Sequence, residues 1–291
     1  MLKVFRVLAP NPGPFTLEGT NTWIVGRDPA AVIDPGPEER DHIRAVARAA
    51  GPLAAILVTH AHPDHAPGAV QLSEETGAPV MALRPQKGQG GLREDQVVDV
   101  GGARLRCVRT PGHSADHVAF FEEDAGALFT GDAVLGRGTT VINPPEGDLA
   151  AYLRSLDRMR DLAPRTIFPG HGPTVFDGPA KLEEYAAHRA MREGQVIDAI
   201  KSGHRRIAEM VPVIYAEYPP ELHGLAERQV LAQLVKLERE GRVARVGTAE
   251  KAQYEVVDPR ACERCGRPAI PKSRFCGRCS LTVLQEGPAS S

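Results

Sequence analysis

The stretch Thr59-His60-Ala61-His62-Pro63-Asp64-His65 limits most sharply what this chain can fold into. Four metal-capable side chains fall within six positions, directly after the apolar, strand-like run Ala54 to Val58. A fold that carries such a stretch must end a strand in a loop whose imidazoles and carboxylate point to a common focus. Imidazoles at 60 and 62 can leave the loop in one direction while Asp64 and His65 turn toward a second ion, so one short loop can serve two neighbouring cations. A polar loop of solvated histidines would account for one or two of these residues, but not for H-x-H-x-D-H after a strand.

Further ligands are then expected at later strand ends. Arg104 to Arg109 alternates in polarity and runs into Thr110-Pro111-Gly112-His113-Ser114, which places His113 where a strand breaks into a turn. Ala127 to Thr130 ends in Gly131-Asp132, and Thr166 to Phe168 leads into Pro169-Gly170-His171-Gly172. Each glycine permits a sharp turn that presents its neighbour at a strand end. A single histidine in a turn is usually a hydrogen-bonded surface residue, so the weight lies in the ordered series.

In this order the motifs resemble those of the metallo-β-lactamase superfamily: Asp34 in Val32-Ile33-Asp34-Pro35-Gly36, then residues 60 to 65, His113, Asp132 and His171. The resemblance covers about the first 180 residues. It implies an α/β fold, the αββα sandwich, in which His60, His62 and His113 hold one metal, Asp64, His65 and His171 a second, and Asp132 bridges them. Asp34 and His117 are implied to stand behind the ligands and orient them. A narrower likeness, to the β-lactamase-like-protein-2 type, runs through Gly19-Thr20-Asn21-Thr22, Thr110 to His113 with Asp116-His117, Gly136 to Val141 and Pro169 to Pro173. Thr20, Asn21, Thr139 and Thr140 are expected either to approach substrate or to stabilise turns.

With 291 residues, 42% of them hydrophobic and 25% charged, the chain is long enough for a layered core and smaller appended units. Its start has no apolar h-region, and no run approaches the ~18 apolar residues of a membrane span, so a cytoplasmic protein without a membrane partner is expected. A net charge of −2 argues against a nonspecific nucleic-acid binder.

Strands are expected at Thr22 to Val25, Ala31 to Ile33, Ala54 to Val58, Val118 to Phe121 and Ala127 to Thr130, and helices at Glu38 to Ala50 and Asp148 to Leu162, the latter capped by Asp148. After Pro179 come three helical stretches, Ala180 to Lys201, Arg205 to Ala216 and Leu222 to Glu240. A β-pair, Arg242 to Val246 with Gln253 to Val257, follows. This order looks like a winged helix. Residues 188 to 257 hold 11 Lys+Arg against 10 Asp+Glu, a balance that favours a packing role beside the cleft over reading of nucleic acid. Cys262-x-x-Cys265 and Cys276-x-x-Cys279 have the spacing of a zinc ribbon, whose closed four-cysteine site would hold one structural Zn²⁺ and supply folding energy to a tail too short for its own core. Cys107 reads as a small buried hydrophobe. Three units are therefore expected: a catalytic domain over 1–180, a winged-helix-like domain over 181–257 and a zinc-ribbon tail over 258–291.

The expected catalytic cofactor is a pair of Zn²⁺ ions, although His and Asp ligands also suit iron or manganese. Two cations about 3.5 to 4 Å apart lower the pKa of a shared water and provide a bridging hydroxide nucleophile. Asp64 is positioned in sequence to take up a proton, and with Asp132 forms the expected catalytic pair. This chemistry serves thioesters, lactams and phosphodiesters alike. By resemblance, a bridging carboxylate at 132 belongs to the thioester-cleaving and nuclease branches, not to antibiotic hydrolysis. The narrower likeness points first to an endoribonuclease acting on single-stranded RNA. A small-molecule thioester hydrolase, for acyl-carrier, CoA or glutathione conjugates, is the alternative, and a non-enzymatic nucleic-acid-binding module is a third reading.

Overall fold

In the first half of the chain most strands are apolar on both faces, which only a sheet covered on both sides can accommodate. The computed structural model describes residues 2–248, 252–261 and 268–269. Its first sheet has six strands in sequence order, β1 (Val4–Leu8), β2 (Asn21–Gly26), β3 (Ala30–Ile33), β4 (Leu53–Leu57), β5 (Val80–Ala82) and β6 (Gly90–Gly91). The β1–β2–β3 part is antiparallel, and β3 through β6 run parallel. The second sheet has five strands, β7 (Val97–Val100), β8 (Ala103–Arg109), β9 (Val118–Glu122), β10 (Ala127–Gly131) and β11 (Thr166–Pro169), antiparallel except for the β10–β11 pair.

Alternation along each strand divides the core into layers. Trp23, Val25, Ala31, Ile33, Ala55 and Leu57 face the second sheet and pack with Leu105, Cys107, Val118, Phe120, Ala127 and Phe129. The intervening residues Ile24, Ala30, Val32 and Ile56 face outward onto Ile43, Val46 and Ala50 of α1 (Arg40–Ala50) and Ala69 and Leu72 of α2 (Gly68–Thr76). Cys107 is wholly buried, as its place in an apolar run predicts, and burial pushes its thiol up to about 12. Helix α3 (Leu149–Asp161) begins at Asp148, whose side chain accepts from Ala151 N at 2.9 Å, the expected cap. The result is the αββα sandwich. The strand β1, the helix α2 and the short β5 to β7 strands were not among the elements the sequence pattern predicts.

The chain divides into two compact units, Met1–Ala187 and the residues from His188 on, and the division falls inside α4 (Gly178–Lys201). The second unit has its own core, in which Val196, Ala199 and Ile200 of α4 meet Met210, Val211 and Ile214 of α5 (Ile207–Ile214), Val230, Leu234 and Leu237 of α6 (His223–Arg239), and Val243 and Tyr254 of the ribbon. That ribbon is the antiparallel pair β12 (Val243–Val246) and β13 (Gln253–Val256). Three helices followed by a two-stranded wing make this a winged-helix domain. A last short pair joins β14 (Asp258–Ala261) to β15 (Pro268–Ala269). The four cysteines of the expected zinc ribbon, Cys262, Cys265, Cys276 and Cys279, lie outside the described residues. Among the described residues no helix is long and apolar enough to cross a membrane.

Candidate metal centre

Each of the seven donors expected at the main centre sits just beyond the C-terminal end of a strand. Strand β4 runs into Val58, Thr59 and the loop 60–65, β8 into His113, β10 into Asp132 and β11 into His171. Two groups form: His60 with His62 and His113, and Asp64 with His65, Asp132 and His171, each group offering ligand atoms that all lie within 4.8 Å of one another. These are the groupings that the resemblance implies. Asp132 faces both. Its Oδ1 lies 3.3 Å from the Nε2 atoms of His65 and His171, and its Oδ2 lies 3.7 Å from His113 Nε2.

The outer nitrogens of the imidazoles decide where the protons are. His113 Nδ1 donates to Val141 O at 2.8 Å and His171 Nδ1 to Gly19 O at 3.2 Å. His65 Nδ1 lies 2.8 Å from Asp34 Oδ2, which also accepts from Thr59 Oγ1 at 2.7 Å. Because the Thr59 hydroxyl hydrogen is used there, its oxygen accepts from His60 Nδ1 at 3.0 Å. Four Nε2 atoms thus converge. His65 Nε2 and His171 Nε2 stand 3.2 Å apart, His113 Nε2 is 3.0 Å from His62 Nδ1, and buried His60 Nε2 and Asp132 Oδ1 have no hydrogen-bond partner among the described residues. Imidazole nitrogens packed this closely against one another and against a carboxylate are costly unless protons or a cation sit among them. The donor set, nitrogen and carboxylate oxygen without thiolate, fits zinc, iron or manganese.

Electrostatics points the same way. Burial works against charge on His171, but the Asp132 and Asp64 carboxylates together outweigh it and push the ring up to about 9. His65 behaves alike: burial lowers it, and Asp132 and Asp34 together raise it well above the usual imidazole range. Asp132 itself is raised by burial yet held well below the usual carboxylate range by His65 and His171. A site that draws protons this strongly draws divalent cations for the same reason. His60 and His113, by contrast, are kept neutral chiefly by burial.

Supporting residues fix this focus. Asp34 adopts a positive φ of 51° and receives Thr59 N at 2.8 Å, so one carboxylate sets the loop, the Thr59 hydroxyl and His65 together. His117 is wholly buried, accepts from Asp132 N at 3.2 Å through Nε2 and lies 2.8 Å from Thr110 Oγ1 through Nδ1, which holds the backbone that carries Asp132. Burial keeps it neutral, as that acceptor role requires. Two glycines admit the close approach: a Cβ on Gly170 would lie 2.7 Å from both Asp132 Oδ1 and His65 Cε1, and one on Gly131, at φ 47°, would lie 2.5 Å from Thr59 Oγ1. Asn21 is a clasp. Its amide donates to Pro169 O and Gly172 O at 2.9 and 2.8 Å, tying β2 to the loop that carries His171. Thr59, the Val141 and Gly19 carbonyls and Glu146 carry no ligand signature in the sequence. Only the chain's return to the focus shows their part.

The focus opens into a cleft of about 660 Å³. Pro14, Phe15, Leu17, Leu135 and Val141 form apolar walls, with Thr139, Thr140 and Asn143 beside them. Among the described residues Arg137 is the one cation on this lining other than the histidines, and it is paired with Glu18 at 2.7 Å. Thr20 is buried against Asn11, whereas Thr139 and Thr140 line the cleft.

Residues 15–88 and 81–171 match the metallo-beta-lactamase superfamily model, and residues 207–251 match the beta-lactamase associated winged helix domain. An atrochrysone carboxyl ACP thioesterase of Aspergillus chevalieri is 39% identical over 236 residues, covering 78% of this chain and 75% of that protein. A beta-lactamase-like protein 2 homolog of Caenorhabditis elegans is 36% identical over 257 residues, covering 82% of this chain and 85% of the relative. A beta-lactamase domain protein from Burkholderia ambifaria shares the fold with a TM-score of 0.75 at 24% identity, over 88% of this chain and 91% of that one. With ligand geometry, fold and sequence in agreement, the chain belongs to the metallo-beta-lactamase superfamily.

Proposed function

We propose that this metal-dependent hydrolase cleaves acyl thioesters, with acyl groups presented on a carrier protein as the leading substrate class. The observation that carries this reading is the cleft lining, which is largely apolar and has a single arginine, already engaged by Glu18, among the described residues. An RNA strand needs cations along its backbone and exposed aromatic platforms. For single-stranded RNA, which the narrower sequence likeness favours, the lining offers one exposed ring, Phe15, and no row of cations. The thioesterase name of the Aspergillus relative supports the thioester reading.

In the proposed site His60, His62 and His113 would hold one cation and Asp64, His65 and His171 a second, with Asp132 available to both. Bound divalent cations would lower the pKa of a water and polarise the acyl carbonyl. The chain's own residues do the rest. Asp64, partly exposed at the cleft, is raised by burial, but its 3.1 Å contact with His171 and the nearby His65 together lower it further, so it stays ionised and is available to receive a proton. Phe15, Leu17 and Val141 exclude water from the acyl chain. Among the described residues the lining offers no Lys, Tyr or Cys to protonate a leaving group. A thiolate leaves without such help, whereas an alkoxide does not.

The test is the loaded enzyme on an acyl-carrier thioester, an acyl-CoA and a fluorescent single-stranded RNA, with Asp132→Ala as the control. Thiol release that disappears in the variant is expected. Cleavage of RNA with no thiol released from either thioester would overturn the proposal.

A further inference from the structure

Of the five imidazoles in the focus, four have their outer nitrogen tied to a buried or main-chain partner: Thr59, Asp34, Val141 O and Gly19 O. His62 differs. It turns Nδ1 inward, 3.0 Å from His113 Nε2, and its outer Nε2 meets the Glu146 carboxylate at 3.4 Å. Glu146 lies 84 residues further along, in the Asn143 to Gly147 segment, and it lines the cleft with a side chain that is 60% exposed. That segment is held by contacts that do not involve the Glu146 side chain. Gly147 N donates to Asn143 O at 2.8 Å, and Asp148 N donates to Gly112 O, next to His113, at 2.8 Å.

From this we infer that Glu146 is a positioning residue for His62, setting the ring so that Nδ1 presents its lone pair and thereby fixing the affinity of the His60–His62–His113 group. The physical reason is the choice of tautomer. A neutral imidazole carries one proton, and a carboxylate at Nε2 holds that proton outward, leaving the Nδ1 lone pair for a cation. Asp34 does the same for His65 from the opposite side and from full burial. The two groups are therefore held unequally, one by a buried carboxylate and the other by a solvent-facing one.

The inference concerns metal binding and is independent of which substrate is cleaved. Metal-free full-length protein is titrated with Zn²⁺ against a chromophoric chelator, for the parent, Glu146→Ala and Glu146→Gln. Cysteines 262, 265, 276 and 279 are common to all three proteins and contribute equally. In Glu146→Ala one ion is expected to weaken by about 10- to 100-fold, the usual effect of removing a ligand's hydrogen-bond partner, with the others unchanged. Glu146→Gln, whose amide oxygen still accepts from Nε2, is expected to recover most of that loss. Equal affinities in the parent and Glu146→Ala would overturn the assignment. So would a Glu146→Gln protein as weak as Glu146→Ala, which would assign the effect to charge at the cleft mouth instead of ring orientation. Histidine ¹⁵N spectra give a second readout: the His62 signals of the metal-free parent should show the proton on Nε2 and shift in Glu146→Ala, and identical spectra would equally sink the inference.

Discussion

At the residue scale the centre depends on what is absent as much as on what is present. Gly170 is needed because a methyl group there would lie 2.7 Å from an Asp132 oxygen and from the His65 ring. Gly170→Ala is therefore expected to lose metal affinity by about 10- to 100-fold while the far-ultraviolet circular dichroism of the full chain stays unchanged. An unaltered chelator titration would count against this account. Asp34→Ala should act from the other side, through Thr59 and His65, with a loss of the same order read in the same titration. The seven donors that the structure brings together were legible in the sequence because each lies beyond a strand-like run, and seven such residues in that order at strand ends do not arise by chance. Glu146 and the Val141 carbonyl were not legible, since nothing local to Pro145-Glu146-Gly147 or Thr140-Val141 signals a partner. Their roles exist only through chain return. His117 stands out in the sequence beside Asp116, but its job, accepting from the Asp132 backbone, depends on a contact between two strand ends.

Elements with strong periodicity were readable and marginal ones were not. Helix α3 announced itself through Leu149, Tyr152, Leu156 and Met159 and its Asp148 cap, whereas α2 offers only Ala69 and Leu72 as buried apolar anchors after Pro67-Gly68. Strand β1, with Phe5 and Leu8 exposed, lacks the alternation that would have marked it, and pairing with β2 alone makes it a strand. In the winged-helix domain one carboxylate braces three elements: Glu193 of α4 pairs with Lys236 of α6 at 2.5 Å and with Arg242 in the turn before β12. Burial raises Glu193, but the hydrogen bonds from Lys236 and Arg242 outweigh it and hold the carboxyl below its usual range. A lowered folded value means stability that is present above the unfolded carboxyl's ~4.3 and is lost as pH falls through the folded value. Glu193→Ala should thus cost about 1.5 to 3 kcal/mol near neutrality. Melting curves of parent and variant should converge in acid, and a gap of constant size across pH would contradict the brace.

Across the whole molecule, the layering of the sandwich came from family likeness and not from spacing. Apolar runs such as Ala30–Ile33 fit any doubly covered sheet, and only long-range pairing selects the order of the eleven strands. The tail is the opposite case, with a spacing that speaks clearly and cysteines outside the described residues. Metal analysis of the full chain should find near three ions, and removal of residues 258–291 should lower the count by one; a loss of all metal on truncation would place the tail cysteines in the main centre. The seven donors are drawn from both sheets, with 60–65 following a strand of the first and 113, 132 and 171 following strands of the second. Beside the apolar filling, direct polar links join those layers at this end, such as Thr59 O, which accepts from Val118 N at 2.9 Å. An ion gripped from both sides is then a rivet through two plates. Ligation at ~100 times its dissociation constant adds about 2.7 kcal/mol to the folded state, so chelation should lower the melting temperature of the sandwich, loosening first the edge that carries the seven donors.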